Sequence, residues 1–239
     1  MQFTASANRT FNGTSSTVAY VTVSDLFGSR TPSFSATVKS ALPAYASAIA
    51  AANNNATATP DVLAFLTTQH RMLFDDGVPA MELRHNTNGR NLSCEFWGTM
   101  PFARGSVHIA SSDAAALQVA AARFLRRLYL STSPLSELVA AEGYPGMEAV
   151  GEDASDEEWE AWLKRNMRSA YHGISTAAML PREKGGVTGP ACGVHGTANV
   201  RVVDASVVPF QTNGHTSSTV YAVAERCAEL IRGEWGVRR

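Results

Sequence analysis

The stretch VRVVDASVVPFQTNGHTSSTVYAVAERCAELI, residues 200–231, decides how the chain is read. The apolar run Val200–Val203 ends in Asp204 and predicts a buried strand. After Pro209 and the Asn213-Gly214 turn, a helical pattern runs from about His215 to Arg232. A carboxylate at the C-terminal end of a strand is where open α/β sheets meet ligands. Asp204 can also cap a turn, and both readings stand.

Just upstream lies a second histidine, His172, in Ala170-Tyr171-His172-Gly173-Ile174-Ser175-Thr176. It and His215 each adjoin glycine and small hydroxyl residues, a setting in which an imidazole can face a ligand instead of a packed core. Both are candidate acid/base groups near neutral pH. Between them run the glycine turns at Gly185-Gly186, Gly189, Gly193 and Gly196, and His195 in that run reads as a structural turn residue.

Farther out the signals are those of an ordinary packed protein. Val18–Val23 predicts a strand, Ser35 to Ala52 an Ala-rich helix broken by Asn53-Asn54-Asn55, and Pro60-Asp61 the opening of another helix that carries His70 as a plain helix residue. Residues 92–110 alternate like strands, and Arg104–Ile109, with His108, reads as a strand entered through a turn. Leu117, Val119, Ala121, Phe124, Leu125 and Leu128 line one side of a predicted helix over 114–130. The acidic run 152–158 opens one more helix and reads as a solvated helix start, not a catalytic carboxylate pair.

Composition narrows the function classes. The chain of 239 residues is 45% hydrophobic and 17% charged, enough to bury a sizeable core. A formal charge of −1 provides no field for nucleic acid or an anionic membrane, and neither is expected as a partner. No apolar run approaches the roughly 20 residues of a membrane span, and Met1-Gln2-Phe3-Thr4 has no signal-peptide character, which taken alone implies a cytoplasmic chain. Glycosylation triplets nevertheless stand at Asn8, Asn12, Asn55 and Asn91; chance in a Ser/Thr/Asn-rich sequence explains them as well as a secretory route does. Cys94, Cys192 and Cys227 are too few and too scattered for a disulfide framework or a zinc site, leaving one bridge or none.

Tyr171-His172-Gly173-Ile174-Ser175-Thr176-Ala177-Ala178-Met179-Leu180-Pro181-Arg182-Glu183-Lys184-Gly185-Gly186-Val187, followed by the 200–231 stretch, resembles the C-terminal signature of glucose-methanol-choline (GMC) oxidoreductases. Pro101–Ile109 matches the family's strand motif before its substrate sheet. The resemblance implies a mixed α/β architecture: an antiparallel substrate-binding sheet flanked by helices, plus the C-terminal strand and helix of an FAD-binding domain. Residues 1–97 would be a partial substrate-domain and helical region and 98–239 the family's C-terminal domain. The implied cofactor is FAD and the implied substrate a small alcohol or a polyketide-like molecule. In that scheme His172 takes the hydroxyl proton while hydride passes to the flavin, and His215 hydrogen-bonds the substrate oxygen. Asp204, Ala205, Thr216 and Ser217 would line the cofactor, Arg168 the substrate, and no metal is called for.

Departures from the family pattern bear on the same expectations. No GxGxxG phosphate-binding turn occurs in these residues, so the isolated chain is expected to hold FAD weakly and to be colourless. Passage from Ser112-Asp113 straight into the 114–130 helix looks like an internal deletion, and Ala170 replaces an asparagine of the sugar-oxidising members, which argues against glucose. Two other outcomes stay open: a redox-neutral cyclase or dehydratase of secondary metabolism using the same histidines, and a non-catalytic remnant. The resemblance also points to secretion of a full-length protein and leaves a homodimer open.

Overall fold

The computed structural model describes residues 1–6, 16–102, 115–169 and 171–236. In chain order its elements are β1 (Gln2–Ala5), β2 (Ser16–Val21), α1 (Val23–Phe27), α2 (Thr31–Ala52), α3 (Thr59–Phe74), β3 (Met81–Asn88), β4 (Asn91–Gly98), α4 (Ala115–Ser131), α5 (Leu135–Leu138), β5 (Val139–Tyr144), α6 (Asp156–Asn166) and α7 (Ser217–Glu234). They fall into two compact units, Met1–Ala36 with Met72–Arg168, and Thr37–Arg71 with Ser169–Arg239. The predicted strand over Arg104–Ile109, His108 included, lies outside the described residues.

The first unit is built on the expected antiparallel sheet, five strands in the order β2-β3-β4-β1-β5. β3 and β4 form a hairpin in which Asn88 faces Asn91 across a two-residue turn, and Gly89 takes φ +59° there. A positive φ at the first turn residue suits the right-handed twist of the strands and favours glycine. Alternation puts Leu83, Leu92 and Cys94 on the covered face with Phe3 of β1, while Arg84 and Glu95 stay on the open one. α4 buries Val119, Ala122, Leu125 and Tyr129, spaced three and four apart, in the same core, and the Tyr129 ring stacks on Phe3 at 4.3 Å. The larger aliphatic side chains, Val119 and Leu125, each contribute roughly 1.5–3 kcal/mol on leaving water.

α6 begins as the acidic run implied. The Ser155 side chain accepts from the Glu158 amide and the Glu158 carboxylate accepts from Ser155, a capping box, while Trp159, Trp162 and Leu163 turn inward. Asp156 pairs with Arg123 at 2.9 Å, so these carboxylates serve the helix start. The buried Arg126 guanidinium grips Glu142 of β5 in two bonds of 2.7 and 2.8 Å, donates to the Val150 and Gly151 carbonyls, and lies over the Trp159 ring.

In the second unit Leu42, Ala46 and Ala50 of α2 and Val62 and Leu66 of α3 are buried, and Phe65 meets Phe210 edge-on at 5.4 Å. Asn54 and Asn55, both at positive φ, end the Ala-rich helix where the asparagine cluster predicted. His70 on α3 is buried. Residues 171–216 hold their shape by isolated bridges instead of a sheet: Met179 to Thr188, Thr188 to Val194, and Gly193 to Arg201. Val200–Val203 is therefore not the expected buried strand. Its backbone pairs with the 192–194 loop through Val194 N–H to Val200 O (2.9 Å) and Val202 N–H to Cys192 O (3.1 Å), and Val200 is 48% exposed. An apolar run becomes a buried strand only where neighbouring strands complete its ladder, and here a loop supplies two bonds in their place. Cys192 and Cys227 form a disulfide with Cα atoms 6.3 Å apart, and Cys94 is a free, buried thiol.

Candidate active site

The loop that carries His172 is held in a conformation that most side chains avoid. Tyr171 (φ +58°) and Ser175 (φ +73°) both occupy the left-handed region on either side of it. Such positions cost on the order of 1–3 kcal/mol and persist where surrounding bonds dictate them. Here those bonds are visible. The Tyr171 amide donates to Ser169 Oγ at 3.0 Å, and Ser175 Oγ donates to the Val208 carbonyl at 2.8 Å. The amides of Ala177 and Met179 reach the Ser206 and Val207 carbonyls at 3.0 and 2.8 Å. The His172 loop thus runs beside the segment 205–208, which leads directly to His215.

The two imidazoles meet. Their centroids lie 5.3 Å apart with planes inclined at 63°, His172 half-buried and His215 exposed. A hydroxyl-bearing carbon at that junction has two ring nitrogen sources within reach, one to take a proton and one to hold an oxygen. Farther along the same segment the chain is closely packed: a Cβ on Gly186 would collide with the Leu180 carbonyl, so only glycine fits, and Thr188 Oγ1 donates to the Ala177 carbonyl at 3.2 Å. His195 bonds the Leu180 carbonyl through Nε2 at 3.0 Å, the structural role its turn implied.

Asp204 initiates a short turn at Ala205–Val207. Its carboxylate accepts from the Ser206 amide at 2.8 Å and from the Ser206 hydroxyl at 2.5 Å, which hold its pKa below the usual carboxylate range. Asp204 thus caps a turn, the second of its two readings. Thr216 precedes α7, whose first residue is Ser217, and its side chain makes no capping bond. The start of this 18-residue helix therefore presents main-chain N–H groups and a positive dipole end immediately after His215. That donor set fits an electron-rich ring edge such as a flavin's. Arg168 belongs to the other unit, where it is exposed in the segment after α6. Ala170 lies outside the described residues.

Residue reading missed Ser175 and the Arg201–Glu234 ion pair that ties the 200s loop to the end of α7, and it left open the bridge that Cys192 and Cys227 form. The double glycine at 185–186 was the one local signal of close approach. Among the described residues there is no group of three or more His, Cys, Asp or Glu placed to hold a metal, and no helix is long and apolar enough to cross a membrane.

Residues 101–224 match the GMC oxidoreductase family over its C-terminal domain, and the chain belongs to that family. It is 36% identical to the glucose oxidase-like protein fsoC of Humicola fuscoatra over 235 residues, 90% of this chain and 39% of that protein. With the glucose oxidase of Penicillium chrysogenum it shares 35% over 175 residues, 66% of this chain and 29% of that one. Among solved structures, a fungal aryl-alcohol oxidase superposes with a TM-score of 0.62 at 29% identity, covering 91% of this chain and 38% of the oxidase. An FAD-dependent oxidoreductase from Chaetomium thermophilum gives 0.72 at 22% identity, over 92% of this chain and 39% of that one, and so shares the fold. The chain spans about two fifths of the length of these longest-matching relatives. FAD is the cofactor of the family's structural neighbours.

Proposed function

We propose that this chain supplies the acid/base histidines of an FAD-dependent oxidoreductase acting on CH–OH donors. The observation that carries the reading is the approach of His172 and His215 to 5.3 Å between centroids, in a GMC oxidoreductase chain similar to a glucose oxidase and to an aryl-alcohol oxidase. FAD, when bound, supplies the hydride acceptor. His172, fixed by the left-handed turns on either side, takes the hydroxyl proton from the substrate. His215 donates a hydrogen bond to the same oxygen and so orients the carbon that loses hydride. Main-chain N–H groups of Thr216 and Ser217, with Ala205 nearby in sequence, would hold the electron-rich edge of the flavin at the positive end of α7. Arg168 would contact the substrate in the complete protein. Small alcohols, including aryl-alcohol-like ones, are the substrate class this reading favours.

A disulfide inside the candidate site's own unit supports an oxidising compartment, and with the sequons favours the secretory pathway.

The test uses residues 98–239 grafted in place of the matching portion of the Humicola fuscoatra relative, which provides the remainder of a GMC protein. Anaerobic reduction of its FAD by a panel of primary alcohols is followed by stopped flow. His172→Ala is expected to slow reduction about 10²–10⁴-fold with FAD content unchanged. Reduction at the parent rate in His172→Ala, or product formation with no acceptor consumed, would overturn the proposal.

A further inference from the structure

We propose that Asn55 is an N-glycosylation site, its side-chain amide accepting an oligosaccharide from a polyprenyl-diphosphate carrier. The inference is independent of the alcohol-oxidising reading. Asn55-Ala56-Thr57 is a complete acceptor triplet, and neither Ala56 nor Ala58 is proline. What separates it from a chance triplet is its place in the fold. α2 ends at Ala52, and the chain leaves it through two consecutive left-handed residues, Asn54 (φ +51°) and Asn55 (φ +56°). The turn satisfies its own main chain: the Asn55 amide reaches the Ala50 carbonyl at 2.8 Å and the Ala56 amide reaches Asn53 at 3.0 Å. Every residue from 51 to 56 is exposed. The asparagine amide is thus presented on a self-supporting surface turn that a bulky, hydrated glycan does not disturb.

Cys192 and Cys227 are bridged, a bond that forms and persists in the oxidising lumen where the glycosyltransferase also acts. Asn91, the other triplet within the described residues, is also exposed but opens β4 with its main chain paired to Asn88 on one side and Thr4 on the other, and so lacks the self-supporting turn that presents Asn55. Asn8 and Asn12 lie outside the described residues.

Timing follows from Thr57. Its hydroxyl, the part of the triplet the transferase must engage, is half-buried against Gly185, where an added Cβ would strike it. Because Gly185 is synthesised long after Thr57, the hydroxyl is free while the nascent chain passes the transferase and is covered only when the second unit closes. In the transfer, Asn55 Nδ2 forms a bond to the anomeric carbon of the first sugar. The bond from that carbon to the diphosphate oxygen breaks, the polyprenyl diphosphate leaves, and the amide proton goes to a base of the transferase.

The experiment expresses the 239-residue chain behind a cleavable secretion leader in yeast and recovers it from both medium and membranes. Peptides are released by an amidase that removes N-glycans in heavy-oxygen water, which marks each occupied asparagine as labelled aspartate. The expected result is label at residue 55, lost in Thr57→Ala and in Ala56→Pro and retained in Thr57→Ser. Recovery of the 55-containing peptide as unlabelled asparagine from the parent chain would overturn the proposal, and needs no variant to fold. Label confined to Asn8, Asn12 or Asn91 would overturn it equally.

Discussion

At the scale of single residues, the first unit depends on one buried charge pair. Glu142 is fully enclosed and accepts two bonds from Arg126, and its Oε1 also accepts from the Gly146 amide at 3.2 Å. Removing one partner of such a pair strands the other in a medium that cannot solvate it. Glu142→Ala is expected to cost about 3–5 kcal/mol, read as a lower urea midpoint, whereas removing the exposed partner Glu95 of Arg84 should cost no more than about 1 kcal/mol. His85 sets a pH dependence. Burial holds its imidazole below the ordinary value while the ring hydrogen-bonds the Tyr129 hydroxyl. Folded protein therefore binds fewer protons there than unfolded protein. Stability from this group is intact above the unfolded value of about 6.5 and declines as pH falls through it toward the lower folded value. Urea midpoints measured at neutral pH and at about pH 5 should show a smaller acid loss in His85→Gln than in the parent; equal losses would assign the effect to other groups.

At the scale of elements, the helices with their own local logic were legible and those strands that depend on partners were not. α4 shows its core side in Val119, Ala121 and Leu125, all buried, and α6 shows its start in Ser155 and Glu158. β1 and β5 are short, and Val139-Ala140-Ala141-Glu142-Gly143-Tyr144 has no strand pattern of its own; pairing with β1 makes it one. A local mark of the β3–β4 hairpin that the sequence reading did not use is Gly89, the first residue of the two-residue turn between Asn88 and Asn91. Val200–Val203 erred the other way, an apolar run without a sheet to join. Closure of the 192–227 loop belongs at this scale too. A bridge over a sequence separation of 35 removes unfolded-state freedom worth about 3–4 kcal/mol. Cys192→Ala/Cys227→Ala should lose stability of that order in urea unfolding under non-reducing conditions, and the parent treated with reductant after denaturation should refold to the same reduced stability. In the folded parent Cys94, its thiol pushed up to about 12 by burial, should resist alkylation until the chain is unfolded.

At the scale of the whole molecule, the candidate site was half-readable. The histidines stood out because glycine and hydroxyl neighbours are poor core material, and the motif order carried the family. Their meeting was not readable, because it rests on contacts between distant segments: Ser175 with Val208, Ala177 with Ser206, Met179 with Val207. Those bonds fold the His172 loop onto the 205–208 turn that leads to His215. The same segment is fastened at its far end by the disulfide and by Arg201–Glu234. The second unit thus fixes two rings with few regular elements, through paired loops and one long helix. The measurement that tests this most directly is the nuclear Overhauser spectrum of the chain labelled with ¹³C in its histidine rings alone, with His172→Gln and His215→Gln used for assignment. Cross-peaks between the ring protons of His172 and His215 are the predicted result. Both rings assigned, with no cross-peak between them in the folded parent, would contradict the account.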